Sequence, residues 1–286
     1  MDEINEIFST WAGLSSHFTG ECYDLATPFL DQNYQEIDPY VRFVSAQLFI
    51  DCHLSSESSL LLIKSGKEWD ADIINRSVME GTVKFVYLLF GSNERVKEKA
   101  IEYWEILPAY SSIKHHERLK SFLSTIDKPD AEEWIPFKKL LLSEADIENL
   151  RNGTNRKDRK YLEQQWSLFG MTTYLLKNDP DRLGLLSHLA HNYGMSSHLL
   201  HKDGDGVGMV WERYRRTKED QIAVKLGHSA RVVSDICSFS KLRLLQLLRF
   251  CNQNTEVISN LESKYTMLFK ELKKAGDNFV KHEYKR

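Results

Sequence analysis

Apolar residues along this chain recur at steps of three and four, and the period holds through most of its 286 residues. Only 6 Pro and 14 Gly interrupt it, and no alternating run ends in an Asn-Gly hairpin turn. The pattern predicts an all-α protein, a single compact multi-helix bundle with an extended C-terminal helix. Helices are expected near 2–18, 20–32, 38–65, 68–91, 93–106, 112–125, 130–142, 144–151, 157–176, 182–202, 209–224, 228–252 and 255–284. Breaks are expected at 33–39, Ser65-Gly66, Gly91-Ser92, Pro108, Lys128-Pro129, Asn152-Gly153, 178–180 and Gly204–Gly208, where Gly, Pro, Asn and Ser gather. The same punctuation divides the chain into N-terminal helices (1–37), a helical core domain (38–227) and a C-terminal helical hairpin or dimerisation segment (228–286).

Two helices carry unusual polar residues. In 68–91, Ile74, Val78, Phe85 and Leu89 form one apolar side, and Trp69, Ile73, Val83, Tyr87 and Phe90 another, so the helix is expected to be buried on nearly all sides. Arg76 and Glu80 sit inside the second stripe, and burial obliges each to find a partner. Spaced i, i+4, they either pair with each other or meet a further polar group across the core. In 182–202, four of the ten histidines fall within fourteen residues. Leu186, Leu189, Tyr193 and Leu200 share one face, and Tyr193, Ser197 and His201 follow at i, i+4 and i+8 along its edge. His188, His191 and His198 fall on the opposite, solvated face.

Other stretches have plainer readings. The serine run within 51–59 suits close helix packing, and the His115-His116 pair is expected on the surface. Ile258, Leu261, Tyr265, Leu268, Leu272, Ala275 and Phe279 form a heptad-like seam, used either in a homodimer or in a hairpin against 228–252.

A net charge of −3 removes the global signature of a nucleic-acid binder, so contact with RNA would need local patches. Arg156, Lys157, Arg159 and Lys160 form one such patch, and Arg213, Arg215 and Arg216 another. Cys22, Cys52, Cys237 and Cys251 are far apart in sequence, no secretory signal is evident, and no apolar run is long enough to span a bilayer. These features predict a reduced, cytoplasmic protein without a membrane partner. No GxxxxGK[ST], GxSxG, CxxC or HExxH occurs, and no metal or cofactor is called for.

Arg76-x3-Glu80 followed by Tyr193-x3-Ser197-x3-His201 resembles a bacterial family known only as domain of unknown function 5677, over roughly residues 40 to 205. The resemblance implies a site at Arg76, Glu80, Tyr193, Ser197 and His201 without implying its chemistry. A looser likeness is to the HEPN helical ribonucleases of bacterial toxin and antiphage systems, whose Arg-x4–6-His mark is met by Arg182-x5-His188. His188 lies opposite Tyr193, so HEPN-like chemistry is better assigned to Arg76 and His201.

Two functions follow. In the first, the protein is a metal-independent ribonuclease: His201, or a base it positions, takes the ribose 2′-hydroxyl proton, and Arg76 stabilises charge on the phosphate. Tyr193 and Ser197 orient the substrate, and Glu80 holds Arg76. In the second, the protein is a helical interaction or sensor module, and the same five residues form a buried network that fixes one packing register.

Overall fold

Short polar side chains start the helices. Asp38 accepts from the amides of Tyr40 and Val41, with Pro39 at the first helical position. Ser92, Ser167, Asp203 and Thr217 accept from the amides of Arg95, Gly170, Gly206 and Asp220. Each satisfies a donor that a helix N-terminus leaves unpaired. Left-handed residues end two of the helices: Gly66 (φ +65°) and Asn252 (φ +53°) let the amides of Lys67 and Gln253 turn back to the Leu62 and Leu248 carbonyls.

The computed structural model describes residues 2–151, 156–180 and 198–284. Among them every regular element is helical: α1 (Asp2–Leu30), α2 (Pro39–Lys64), α3 (Glu68–Leu88), α4 (Asn93–Ile101), a π-helical turn (Glu102–Ile106), α5 (Leu107–Leu123), a 3-10 turn (Glu132–Trp134), α6 (Ile135–Lys138), α7 (Glu144–Arg151), α8 (Arg156–Gln165), α9 (Leu168–Asn178), α10 (Gly204–Tyr214), α11 (Lys218–Phe250), α12 (Glu256–Lys264) and α13 (Thr266–Tyr284). Residues 198–201 are also helical. Among the described residues no helix is long and apolar enough to cross a membrane.

Helix α11 is the axis of the bundle, packed against α1, α2, α3 and α13. Its Phe239, Leu244 and Leu247 join Phe18, Phe49, Phe85 and Val86 in one core cluster. Val232, Val233 and Ile236 join Phe8, Trp11 and Ile63 in a second. Polar pairs set the register of α11 on α3. His228 and Arg231 meet Asp72, Arg243 donates to Thr82 at 2.6 Å, and Gln246 donates to the Leu89 carbonyl at 2.8 Å. These partners rise together along both helices, so α3 and α11 run parallel. Small residues let α2 lie close to α3. Ser56 and Ser59 are fully buried, and a Cβ on Gly81 would stand 2.5 Å from the Cys52 sulfur.

Several predicted boundaries move. Helix α1 is continuous through Gly20, because nothing crowds that position and one glycine costs a long, packed helix only about 1 kcal/mol. Pro108 does not break 93–123; it sits in the first turn of α5, where a missing amide hydrogen is tolerated, and the π-helical turn carries the chain into it. The 157–176 segment divides at the Ser167 cap, and 130–142 holds only short turns. The expected 204–208 loop is the first turn of α10, started by Asp203. No break falls at 225–227: Gly227 lies inside α11 because α13 crosses there, and a Cβ would stand 2.4 Å from Phe279 Cβ.

The C-terminal seam is used within the chain. Ile258, Leu261, Leu268 and Leu272 are buried, and α13 runs antiparallel to α11: Glu283 near its end bonds Arg216 just ahead of α11, Phe279 crosses Gly227, and α12 before it reaches Lys241 through Glu262. His116 departs from the surface expectation: it is half-buried, and its Nδ1 accepts from the Leu142 amide at 3.1 Å.

Two glycines separate helix propensity from packing. Gly13 lies on exposed helix with nothing within 4 Å of a built Cβ, so Gly13→Ala is expected to raise unfolding stability by about 0.5–1 kcal/mol. Gly227→Ala should lower it by about 1–3 kcal/mol through the Phe279 clash. Urea unfolding of both variants measures the contrast, and equal effects would contradict the close α11–α13 approach.

Candidate functional site

Arg76 and Glu80 of α3 line an open cleft of about 550 Å³, together with Ser55 and Ser58 of α2, Ser77, and Leu200 from the helical segment 198–201. Both motif side chains are half-buried. The ion pair that Glu80 forms is with Lys84 at 2.8 Å, rather than with Arg76. Glu preceding a cation at i, i+4 is the better-oriented arrangement on a helix, and Arg76 before Glu80 is the weaker one. His201, the neighbour of Leu200, is exposed. The cleft thus gathers Arg76, Glu80 and the segment bearing His201. Tyr193 and Ser197, and with them His188 and His191, lie outside the described residues. His198 stands 2.7 Å from the Asp203 carboxylate, which raises its imidazole pKa above the ordinary value. The Gly204–Gly208 turn presses on the same segment, since a Cβ on Gly206 would meet the His198 carbonyl oxygen at 2.3 Å.

One turn before Arg76 lies a polar cluster that the sequence reading passed over. Asp72, only 2% exposed, receives His228 Nε2 at 3.0 Å and the Arg231 guanidinium at 2.5 Å. Arg231 also donates to Asp235 at 3.1 Å. Burial alone would raise the Asp72 carboxyl pKa, yet His228 and Arg231 bring it down to about 2. Burial lowers the His228 pKa, so its ring is neutral at pH 7, and burial pushes Asp235 up to about 6 against the pull of Arg231. The legible signal was the His228, Arg231, Asp235 spacing of i, i+3, i+7, a polar stripe through an otherwise apolar helix.

The two basic patches have different surroundings. Arg216 is bonded to Glu212 and Glu283, and the Arg213 guanidinium lies over the Trp69 ring at 5.2 Å, so this cluster is largely drawn into the fold. Arg156 and Lys160 are exposed, and Arg159 lies over the Tyr110 ring at 5.9 Å. They line a recess of about 430 Å³ with Arg151 and Lys114, which are ion-paired to Glu117 and Glu163 of the same wall. Lys114 and Glu163 also line a larger cleft of about 800 Å³ that holds Tyr103, Trp104, Trp166 and Lys84. Lys84 in turn binds Glu80. Lys114 and Glu163 are thus common to the recess and the aromatic-lined cleft, and the Lys84–Glu80 ion pair joins that cleft to the Arg76 cleft.

Comparison with family models, with curated proteins and with solved structures finds no match to this chain. The Asp72 cluster is open to direct test. A carboxyl held below its ordinary pKa stabilises the fold fully above about pH 4 and loses that contribution as pH falls through about 2. Asp72→Asn is expected to cost about 2 kcal/mol at neutral pH. The difference from the parent in urea unfolding should narrow as the pH is lowered, and a cost independent of pH would count against the cluster as described.

Proposed function

We propose that the protein binds single-stranded RNA along the linked clefts and cleaves it, without a metal, at the Arg76 end. The observation that carries this reading is the run of clefts itself: cations at Lys84, Lys114, Arg159 and Lys160 interleaved with Tyr103 and the exposed Trp104. Single strands are held in this manner, by a cationic groove that tracks the phosphates and by aromatic rings on which bases stack.

The chemistry is assigned to Arg76 in the cleft and to His201, which follows the cleft-lining Leu200. A ribose 2′-hydroxyl gives its proton to His201, or to a base that His201 positions, and its oxygen attacks the adjacent phosphorus. The 5′-oxygen leaves and takes up a proton, and a 2′,3′-cyclic phosphate remains. Arg76 offsets the charge that builds on the phosphoryl oxygens, while Tyr193 and Ser197 orient the strand. Glu80, engaged with Lys84, holds a phosphate-facing cation beside the cleft.

The test uses single-stranded RNA and the full chain in the presence of a chelator, with parallel induction in a bacterial host. Cleavage to cyclic phosphate ends and growth arrest are expected. Arg76→Ala and His201→Ala should each lower the rate by about 100-fold or more while the protein remains folded. The double variant Arg159→Ala/Lys160→Ala should reduce the slope of log affinity against log salt by about 1.4, the share of two phosphate contacts on a single strand. No RNA binding, or cleavage indifferent to both active-site substitutions, would overturn the proposal. Loss of folded protein in both variants, without RNA binding by the parent, would make the cluster the structural network of an interaction module.

A further inference from the structure

A separate cavity of about 350 Å³ lies between α3, α10, α11 and α13, walled by Leu199, Met209, Phe279 and Val280, with Trp69 at one side and the Asp72–His228–Arg231 cluster at the other. Its volume lies within the range of small-molecule sites, and its mostly apolar wall with a few convergent polar groups is their usual make-up.

Three features distinguish it from a packing fault. His228 is 7% exposed and lines the cavity. Its Nε2 faces the Asp72 carboxylate, which can only accept, so Nε2 carries the proton and Nδ1 is left as an acceptor. That Nδ1 is buried and has no hydrogen-bond partner among the described residues, although buried acceptors are nearly always satisfied. Arg213 also lines the cavity. The neighbouring cations are engaged, Arg231 with Asp72 and Asp235 and Arg216 with Glu212 and Glu283. The Arg213 guanidinium lies over the Trp69 ring, with Glu283 and Glu212 near enough to attract it but bonded to Arg216. Finally, Gly276 sits inside α13 on the cavity wall, and a Cβ there would meet nothing within 4 Å. Glycine within a helix is destabilising relative to alanine, and here no close contact requires it. Its effect is to leave the space empty.

We infer that this cavity binds a small organic acid bearing a hydroxyl: the carboxylate on Arg213, the hydroxyl donating to His228 Nδ1, and an apolar body among Leu199, Met209, Phe279 and Val280. Arg213 offers the charge-assisted donors that carboxylates take. The hydroxyl supplies the donor that the orphaned imidazole nitrogen lacks. The site is independent of the RNA reading, although it backs onto the Arg76 cleft: Asp72 is one turn before Arg76, and Leu199 of the cavity precedes Leu200 of the cleft.

The probe is 3-phenyllactate, compared by calorimetry with 3-phenylpropionate, which lacks the hydroxyl, and with inorganic phosphate, which lacks the apolar body. The full chain should bind 3-phenyllactate most tightly. Arg213→Gln, at a half-exposed position, should weaken it by about tenfold or more, the loss of one charged hydrogen bond. Gly276→Leu should abolish binding while leaving the protein at least as resistant to heat as the parent. On ligand addition the 15N resonance of His228 Nδ1 should move upfield, and 3-phenylpropionate should leave it in place. The inference is overturned if neither acid binds at millimolar concentration, if the hydroxyl gives no advantage, or if binding survives either substitution.

Discussion

Helix α11 has no face that can be left in water. From Ala223 to Phe250 none of its residues is exposed, so four other helices must cover it, and the bundle is the solution to that demand. Burial on this scale also encloses polar groups, and these decide how the covering helices sit. Arg243 is only 1% exposed. Burial pushes its pKa down, and it is answered by the Thr82 and Ser240 hydroxyls and the Phe49 ring rather than by a carboxylate. A guanidinium in such a place is costly unless those hydroxyls stand where they do, so α3 cannot slide along α11 without leaving a charge unsatisfied. Apolar packing supplies the driving force, and the polar line from Asp72 to Leu89 supplies the register.

The helical class was legible because the 3.6-residue period survives nearly everywhere, and a period is a property of many residues at once. Single-residue punctuation was less dependable. Gly20, Pro108 and Gly227 each look like breaks in one dimension, yet the helices run through all three: Gly20 stands uncrowded in a long helix, Pro108 follows the π-helical turn, and at Gly227 the crossing of α13 calls for glycine. Ser167 and Asp203 show the converse, since a cap is recognised only once the chain on both sides is placed. At the site, Arg76 and Glu80 stood out because charge inside an apolar stripe is a local anomaly. The Asp72–His228 pair did not, because its halves are 156 residues apart and each looks ordinary on its own helix.

The cleft and the cavity share their scaffolding. Helix α3 supplies Asp72 to one and Arg76 to the other, and residues 199 and 200 face one each. Adjacent positions in a helix point about 100° apart, so a single turn can wall two spaces without belonging wholly to either. Whatever tightens one side of that turn acts on a backbone common to both.

The π-helical turn at 102–106 bears on the geometry in a further way. An α-helix advances 100° per residue, and a five-residue turn holds everything beyond it out of phase with everything before it. Upstream, Arg95 bonds Glu102 at 2.8 Å, and the same carboxylate takes Trp166 from the far side of the aromatic cleft. Downstream, Lys114 and Tyr110 point toward the basic recess. The turn therefore works as a phase shifter in an otherwise uniform rod: it allows one continuous length of helix, from Asn93 to Leu123, to serve the core with its first half and an outward-facing groove with its second.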